Sequence, residues 1–211
     1  MQGELFVVSA PSGTGKTTLV RALLAHHGSI ARDLRYSVSH TTRPARPGEV
    51  HGRDYFFVSH EEFGSLIAAD KFLEWADVFG RRYGTSGEVV ASLRAEGHDV
   101  LLDIDVQGAL QVKARMPEAQ LVFVLPPSYQ ELERRLRSRQ TDAPDQVAHR
   151  LAVACREVAE VDCYDYVIVN EDLVVATDAL ASIFLARRLR RSRMAQAAAA
   201  VLATFPHDPQ I

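Results

Sequence analysis

A glycine-containing loop near the start of the chain has residue types that bind phosphate. Residues 10–17 read A-P-S-G-T-G-K-T, after an apolar run and before a helical pattern. The backbone N–H groups of such a loop, and the N-terminus of the helix behind it, point at a bound anion. The Lys16 ammonium can reach the β- and γ-phosphates of a nucleotide, and the Thr17 hydroxyl can ligate Mg²⁺. We therefore expect a nucleoside triphosphate to contact Ala10, Pro11, Ser12, Gly13, Thr14, Gly15, Lys16, Thr17 and Thr18.

The usual phosphate-loop pattern opens with glycine, whereas this loop opens with Ala10. The change costs little if Ala10 keeps a negative φ, since Gly13 and Gly15 still allow the backbone to approach the phosphates. The alternative is an ordinary strand, turn and helix that contains G-K-T by chance. The flanking patterns favour the phosphate site.

Basic and aromatic residues stand together in a second loop, which prolines stiffen. Arg43 and Arg46 lie three residues apart beside Pro44 and Pro47, and Tyr55 follows. Two guanidinium groups and a phenol provide planar, charge-assisted donors suited to a monophosphate dianion. A solvated basic loop is the alternative interpretation.

Two carboxylates stand at the end of an apolar run at 100–104. Asp103 and Asp105 fall on the same face of this predicted strand by the period-two rule. Ligands of open α/β sheets bind at the carboxyl ends of the strands. That edge would bring Asp103 near Mg²⁺ and Asp105 toward a second substrate. The alternative is that both aspartates only cap the strand.

One glutamate lies in an apolar and aromatic segment, where an unpaired carboxylate is costly to bury. Glu74 stands between Leu73 and Trp75, and guanine could offer it N–H donors at N1 and N2. With the Thr85 hydroxyl on O6, this pair would accept guanine and reject adenine. An exposed Glu74 on a strand is the other interpretation, and the residues alone leave both open.

Arginines cluster around a polar interruption at 138–145, which could be a mobile cover. Arg135, Arg139 and Arg150 could stabilise the negative charge that spreads over equatorial oxygens during phosphoryl transfer. The alternative is a solvated helix face made of Arg134, Arg135, Arg137 and Arg139.

Composition narrows the classes of function. The chain has 211 residues, 47% of them hydrophobic, so we expect one domain with a real core. Its net charge of -3 argues against a general binder of nucleic acid or anionic membranes. Cys155 and Cys163 fit no metal or redox spacing, and the start lacks the basic region of a signal peptide, so we expect a cytoplasmic protein. The alanine-rich tail at 195–205 is too short to span a bilayer and predicts a terminal helix.

Apolar runs alternate with helical patterns, which predicts an α/β fold with a parallel sheet and helices on both faces. The predicted strands are 5–9, 100–104, 121–125 and 166–169, and the predicted helices are 17–26, 106–115, 129–139, 146–161 and 173–191. The interval 39–97 breaks the rhythm with a Pro/Arg/Gly-rich loop, strand candidates at 54–58 and 72–83, and a helix at 61–70. It predicts a small, mostly antiparallel lobe inserted into the core.

The order of several motifs resembles that of the guanylate kinases, most closely the bacterial ones. The motifs are S-A-P-S-G-T-G-K-T-T-L, S-V-S-H-T-T-R-P-A-R-P-G-E-V-H-G-R-D-Y-F-F-V, F-L-E-W-A, R-Y-G-T, L-L-D-I-D-V-Q-G, P-P-S, R-L-R-S-R and Y-V-I-V-N. The match runs from about residue 5 to past residue 170. The phosphate loop is shared by many nucleotide-binding proteins, but the segment through Tyr55 is specific to this family.

The resemblance implies a P-loop enzyme that phosphorylates GMP to GDP with ATP and Mg²⁺ in purine nucleotide metabolism. ATP and GMP, or dGMP, would be its partners. It assigns GMP binding to Ser39, Arg43, Arg46, Tyr55, Glu74, Tyr83, Thr85 and Asp105. It makes Lys16, Arg43, Arg135, Arg139 and Arg150 catalytic, gives the metal to Thr17 and Asp103, and sets Asn170 near the adenine.

The resemblance also divides the single domain into a core (1–38, 98–137 and 151–211), a GMP-binding lobe (39–97) and a lid (138–150). Gln140 stands where the family usually has glycine, which leaves the shape of the lid hinge open. The C-terminal helices could support a homo-oligomer or only close the core. The rivals are a kinase of the same fold for AMP or TMP, and a scaffold domain that binds phosphopeptides without catalysis.

Overall fold

The part of the chain that the structure describes contains nine strands and eight α-helices. The computed structural model describes residues 2–26, 28, 33–138 and 144–205. In chain order its strands are β1 (Leu5–Ser9), β2 (Leu34–Tyr36), β3 (His40–Thr41), β4 (Phe56–Phe57), β5 (Phe72–Val78), β6 (Arg81–Ser86), β7 (Asp99–Asp103), β8 (Gln120–Leu125) and β9 (Tyr166–Val169). Its helices are α1 (Lys16–His26), α2 (His60–Ala68), α3 (Gly87–Ala95), α4 (Val106–Arg115), α5 (Tyr129–Arg137), α6 (Pro144–Val158), α7 (Leu173–Arg188) and α8 (Arg191–Leu202).

The central sheet has five parallel strands in the order β2-β7-β1-β8-β9. Successive side chains of a strand point to opposite faces. Phe6 and Val8 of β1 therefore pack with α1 and α7, whereas Leu5 and Val7 pack with α3 and α4. A strand covered on both faces must be apolar throughout, which explains the unbroken run of β1. The predicted parallel sheet with helices on both faces is confirmed.

A second sheet of four strands has the order β4-β3-β6-β5. Strands β5 and β6 form an antiparallel hairpin, β3 pairs antiparallel with β6, and only β3 and β4 are parallel. The prediction of a small, mostly antiparallel lobe is thus confirmed. Its ring pair Phe63 and Phe72 (centroids 4.6 Å apart) lies over Gly84, where a Cβ would come within 3.1 Å of both rings. Glycine at this position lets the two rings pack against the backbone.

Some short elements escaped the sequence analysis. Strand β2 has only three residues, two of them polar or aromatic, and α3 lies inside the predicted lobe. Val90 of α3 and Leu73 of β5 pack in the same buried cluster as β7 of the core. The lobe therefore shares its hydrophobic cluster with the sheet, and the boundaries 39 and 97 stay predictions.

Several helix ends differ from their predicted positions. Helix α5 ends at Arg137 and α7 at Arg188, short of the predicted ends at 139 and 191. Helix α6 begins at Pro144 instead of 146, since proline suits the first helical turn, where its missing N–H costs nothing. It tightens into a 3₁₀ turn at Ala159–Cys163. The terminal helix starts at Arg191 rather than at 195.

Within the described ranges, no helix combines the length and apolarity that a membrane crossing requires.

Candidate active site

The phosphate loop leaves the carboxyl end of β1, the middle strand of the sheet. Gly13 and Gly15 both have φ +98°, which favours glycine over residues with a side chain. A Cβ would also come within 2.7 Å of Leu136 at Gly13 and within 2.8 Å of the Asn170 amide at Gly15. Of the described non-glycine residues, only Asp70 and Phe79 have positive φ. Ala10 therefore has the negative φ that the sequence analysis required.

Two predicted site residues, the catalytic Arg135 and the adenine-side Asn170, support the phosphate loop through its backbone. The Thr14 carbonyl accepts hydrogen bonds from Asn170 Nδ2 (2.8 Å) and Arg135 Nη1 (3.1 Å). Arg135 also donates to the Asn170 carbonyl (3.2 Å) and to Glu131 (2.7 Å), while the buried Thr14 hydroxyl donates to Pro11. Arg135 and Asn170 thus hold the backbone of the loop in this structure, and their contacts with ATP stay predictions.

Of the other two predicted lid arginines, the structure describes Arg150 alone. Arg150, on α6, donates to the Ser12 hydroxyl of the loop at 2.6 Å. Arg139 lies outside the described residues, as do most of the positions between α5 and α6. The structure therefore brings Arg150 to the phosphate loop from a helix that follows the predicted hinge.

Lys16, Thr17 and Asp103 meet at the ends of β1 and β7. Lys16 Nζ lies 2.5 Å from Asp103 Oδ1 and also donates to the Ile104 carbonyl. The Thr17 hydroxyl donates to Asp103 Oδ2 at 3.2 Å. A hydroxyl and a carboxylate are hard oxygen donors of the kind that Mg²⁺ prefers. Across the described ranges, no cluster of three or more His, Cys, Asp or Glu side chains could hold a metal ion.

Asp105 is the N-cap of α4, with Oδ1 accepting from the Gly108 N–H at 2.8 Å. This is a helix cap, whereas the sequence analysis considered only a cap of the preceding strand. Asp105 also lines a cavity with Glu74 and Lys16, and its negative charge contributes to the raised pKa of Glu74.

Glu74 is buried rather than exposed, since only 3% of its surface is accessible. Its Oε1 accepts a 2.6 Å hydrogen bond from the buried Thr85 hydroxyl. Burial, with a smaller contribution from the negative charge of Asp105, raises the pKa of Glu74 to about 7, although the Thr85 bond opposes this shift. The interpretation of Glu74 as an exposed strand residue is wrong. The structure instead pairs the two residues predicted to recognise the base.

The sequence analysis did not identify two residues that lie near Glu74 and Asp105, namely Gly108 and Glu157. A Cβ on Gly108 would come within 2.4 Å of Glu74 Oε2, so this glycine leaves room for the carboxylate. A glycine inside a helix destabilises that helix, so its presence in the sequence could have indicated that a neighbouring group needs the space of the missing side chain. Glu157 of α6 lines the cleft, and burial with the nearby Asp105 raises its pKa to about 7.

The basic loop forms an organised cluster. The Arg43 guanidinium lies 5.3 Å from the Tyr55 ring centroid and donates to Glu49 at 2.8 Å. That bond lowers the pKa of the Glu49 carboxyl, and Glu49 also accepts from the Arg46 backbone N–H. Glu49 holds the loop closed on both arginines. The sequence analysis missed it, because a glutamate two residues after a proline has no distinctive pattern.

Three cavities meet between the loop, the lobe and α6. One of about 440 Å³ is lined by every predicted loop residue except the buried Thr14. A second, of about 200 Å³, brings together Ser39, Tyr55, Glu74, Tyr83, Asp105 and Lys16. A third, of about 620 Å³, contains four arginines: Arg43, Arg46, Arg81 and Arg150. Val78 lines all three, so the cavities are neighbours, and together they are called the cleft.

A phosphate loop on a parallel sheet, facing a small lobe whose loop contributes arginines to the same region, is the arrangement of a nucleoside monophosphate kinase. The family model for guanylate kinase matches residues 2–187. The chain belongs to the guanylate kinase family, whose members are enzymes that phosphorylate GMP to GDP with ATP.

Individual relatives agree with this assignment. The chain is 52% identical to the guanylate kinase of Escherichia coli O157:H7, over 92% of this chain and 93% of the relative. It is 54% identical to that of Neisseria meningitidis, over 91% and 92% of the two chains. The crystal structure of guanylate kinase from Anaplasma phagocytophilum is similar with a TM-score of 0.74 and 36% identity, covering 91% of this chain and 89% of that one.

Proposed function

We propose that this chain phosphorylates GMP at the cleft between the lobe and the phosphate loop, with ATP on the loop and Mg²⁺ between them. The observation that carries the proposal is the buried Glu74, which accepts from the Thr85 hydroxyl and lines the same cavity as Lys16. The cavity proposed for the base and the cavity over the phosphate loop would then both be lined by Lys16.

Guanine binding would exchange hydrogen-bond donors at Glu74. The N1 and N2 donors of guanine take the place of the Thr85 hydroxyl at the carboxylate. The hydroxyl is then able to turn and donate to O6. Adenine presents an acceptor at N1 and a donor at N6, so both contacts would be mispaired. Ser39 and Tyr83 line the same cavity beside the base.

The phosphate of GMP would bind the arginine cluster of the third cavity, with Tyr55 beneath Arg43. The acceptor is itself a phosphate oxygen, which is largely ionised at pH 7 because the second pKa of a phosphate monoester is about 6. No general base is required. The protein aligns the two phosphates, neutralises their charge and excludes water.

Charge neutralisation would come from Lys16, Arg43, Arg135, Arg139 and Arg150. Thr17 and Asp103 would hold Mg²⁺, which neutralises charge on the β- and γ-phosphates when bound. Lys16 would exchange its partner Asp103 for a phosphate oxygen, a short movement at the end of a flexible side chain. We also propose a cytoplasmic location, which the free thiols of Cys155 and Cys163 support.

A coupled assay of ADP release with GMP, dGMP, IMP, AMP and TMP tests the proposed function. We expect efficient turnover of GMP and little with AMP or TMP. Preference for AMP or TMP would identify a different monophosphate kinase. Binding of GMP without turnover would favour the scaffold class.

Replacing Arg43 with alanine should raise KM for GMP roughly 10-fold or more and change KM for ATP less, because a charge-assisted hydrogen bond contributes about 1.5–3 kcal/mol. Tyr55→Phe should act in the same direction. Arg53→Ala is the matched control, since Arg53 is an exposed arginine of the same loop. Steady-state titration of each substrate measures the effect. A change confined to ATP would put the loop at the wrong nucleotide.

Replacing Gly108 with alanine should raise KM for GMP by about 10-fold, because the added methyl group displaces the Glu74 carboxylate. Alanine is favoured over glycine inside a helix, so thermal stability should fall little. Gly64→Ala in α2 is the control, since its Cβ meets no atom within 4 Å. An unchanged KM for GMP in Gly108→Ala would argue against Glu74 as the base reader.

A further inference from the structure

The turn between β5 and β6 carries a residue that the local backbone disfavours. Val78 pairs with Arg81, so Phe79 and Gly80 form a two-residue hairpin loop. Both have positive φ, +52° and +74°. Hairpin loops with two positive φ values are usually Asn-Gly, and a bulky residue there is strained. Strained residues of this kind cluster at functional sites.

Burial in the lobe does not offset this strain, since 51% of the Phe79 surface is exposed. Its ring instead packs edge-on against His149 of α6, with centroids 5.8 Å apart. The contact therefore joins the tip of the lobe to a helix of another part of the molecule.

This contact lies at the junction of the two predicted substrate sites. Phe79 and His149 both line the cavity over the phosphate loop and the cavity of the four arginines. Strand β5 carries Glu74 in its middle and Phe79 just beyond its end. On the other side, the neighbour of His149 is Arg150, which donates to Ser12 of the loop.

We propose that Phe79 is a positioning residue that couples the lobe to α6. Its ring bears on His149, so that GMP in the lobe and ATP on the loop each stabilise the arrangement that binds the other. The inference rests on the proposed function, because it takes GMP to bind beside Glu74 and ATP to bind the loop. Coupling of this kind is reciprocal, so each substrate must raise the affinity for the other by the same factor.

The variant Phe79→Asn separates positioning from folding, because asparagine suits the turn. We expect its melting temperature to equal or exceed that of the wild type, by up to about 2–4 °C. Isothermal titration should show that GMP raises the affinity of the wild type for a non-hydrolysable ATP analogue with Mg²⁺, and that this enhancement falls roughly 5-fold or more in the variant. The affinity for each ligand alone should change less than about 2-fold.

Asp70→Asn is the matched control, since Asp70 is the other described non-glycine residue with positive φ and lies at the end of α2, away from the cleft. The substitution removes an exposed ion pair with Arg115, 3.3 Å away, so stability should change little and the coupling should be retained. His149→Ala should reduce the coupling as Phe79→Asn does, and the double variant should lose no more than either single variant.

A lower melting temperature with intact coupling in Phe79→Asn would overturn the proposal and leave Phe79 a folding residue. Equal affinities with and without GMP in a wild type that turns GMP over would also overturn it, while leaving the proposed function standing. Failure of the wild type to bind GMP would instead refute the proposed function.

Discussion

Replacing Lys16 with alanine is expected to lower kcat by at least about 10²–10³-fold, the usual cost of removing one donor that stabilises transition-state charge. Lys16 is the cation at the junction of the loop cavity and the base cavity. GMP affinity should be largely unchanged, because the lobe supplies the contacts proposed for GMP. Steady-state kinetics at saturating substrates and calorimetric titration of GMP measure the two quantities.

The controls for this prediction address charge and folding separately. Lys71→Ala removes an exposed lysine whose recorded partner is Glu88, 3.7 Å away, and should leave activity unchanged. A melting curve of Lys16→Ala detects any cost of leaving the largely buried Asp103 without its lysine. Retention of more than about a tenth of the wild-type kcat would argue against the proposed role of Lys16.

Replacing Glu74 with glutamine is expected to lower kcat/KM for GMP roughly 10- to 100-fold. The glutamine oxygen can still accept from one guanine N–H, but its NH₂ group would face the other and leave a buried donor unpaired, at about 1–3 kcal/mol. IMP lacks the 2-amino group and should lose less. In the wild type, AMP should be poorer than GMP by about 10⁴–10⁵, since a site built on hydrogen bonds rejects a mispaired analogue strongly.

Measurements of kcat/KM for GMP, IMP and AMP in both proteins decide these points. Equal losses for GMP and IMP would contradict recognition of N2 by Glu74. Efficient use of AMP by the wild type would overturn guanine selectivity altogether.

The pH dependence of ligand binding to the wild type and to Glu74→Gln tests whether Glu74 binds guanine as an anion. The pKa of Glu74 is raised to about 7, so the carboxylate is mainly protonated at pH 6 and mainly ionised at pH 8. If the anion accepts from guanine, the affinity should rise with pH through this window in the wild type and stay flat in Glu74→Gln. Guanosine is the suitable ligand, because the phosphate of GMP titrates near pH 6 itself.

Glu157 also has a pKa of about 7 and lines the neighbouring cavity, so Glu157→Gln is the control for this measurement. The pH dependence of guanosine binding should persist in that variant. A wild-type affinity independent of pH would contradict ionisation of Glu74 as a condition for binding.

The sequence by itself determined the features that depend on local patterns. Continuous apolar runs predicted the strands β1, β7, β8 and β9, because a strand covered on both faces can contain little else. The loop motif predicted that Gly13 and Gly15 let the backbone approach a phosphate, and it required a negative φ at Ala10, which the structure has. The composition of 39–97 predicted a small, mostly antiparallel lobe, since aromatic runs between turn residues are typical of short strands.

Only the tertiary structure decided how side chains from distant segments pair. Glu74 could have been exposed or buried, and the packing of β5 against β6 and α4 made it a buried partner of Thr85. The sequence predicts a catalytic Arg135 and an Asn170 near the adenine, and both roles stay predictions. The structure adds that both residues donate to the Thr14 carbonyl, because the end of β9 and the helix α5 meet behind the loop. Such pairings join residues far apart in the chain, and burial and hydrogen-bond competition in the folded state select among the partners that each side chain could have.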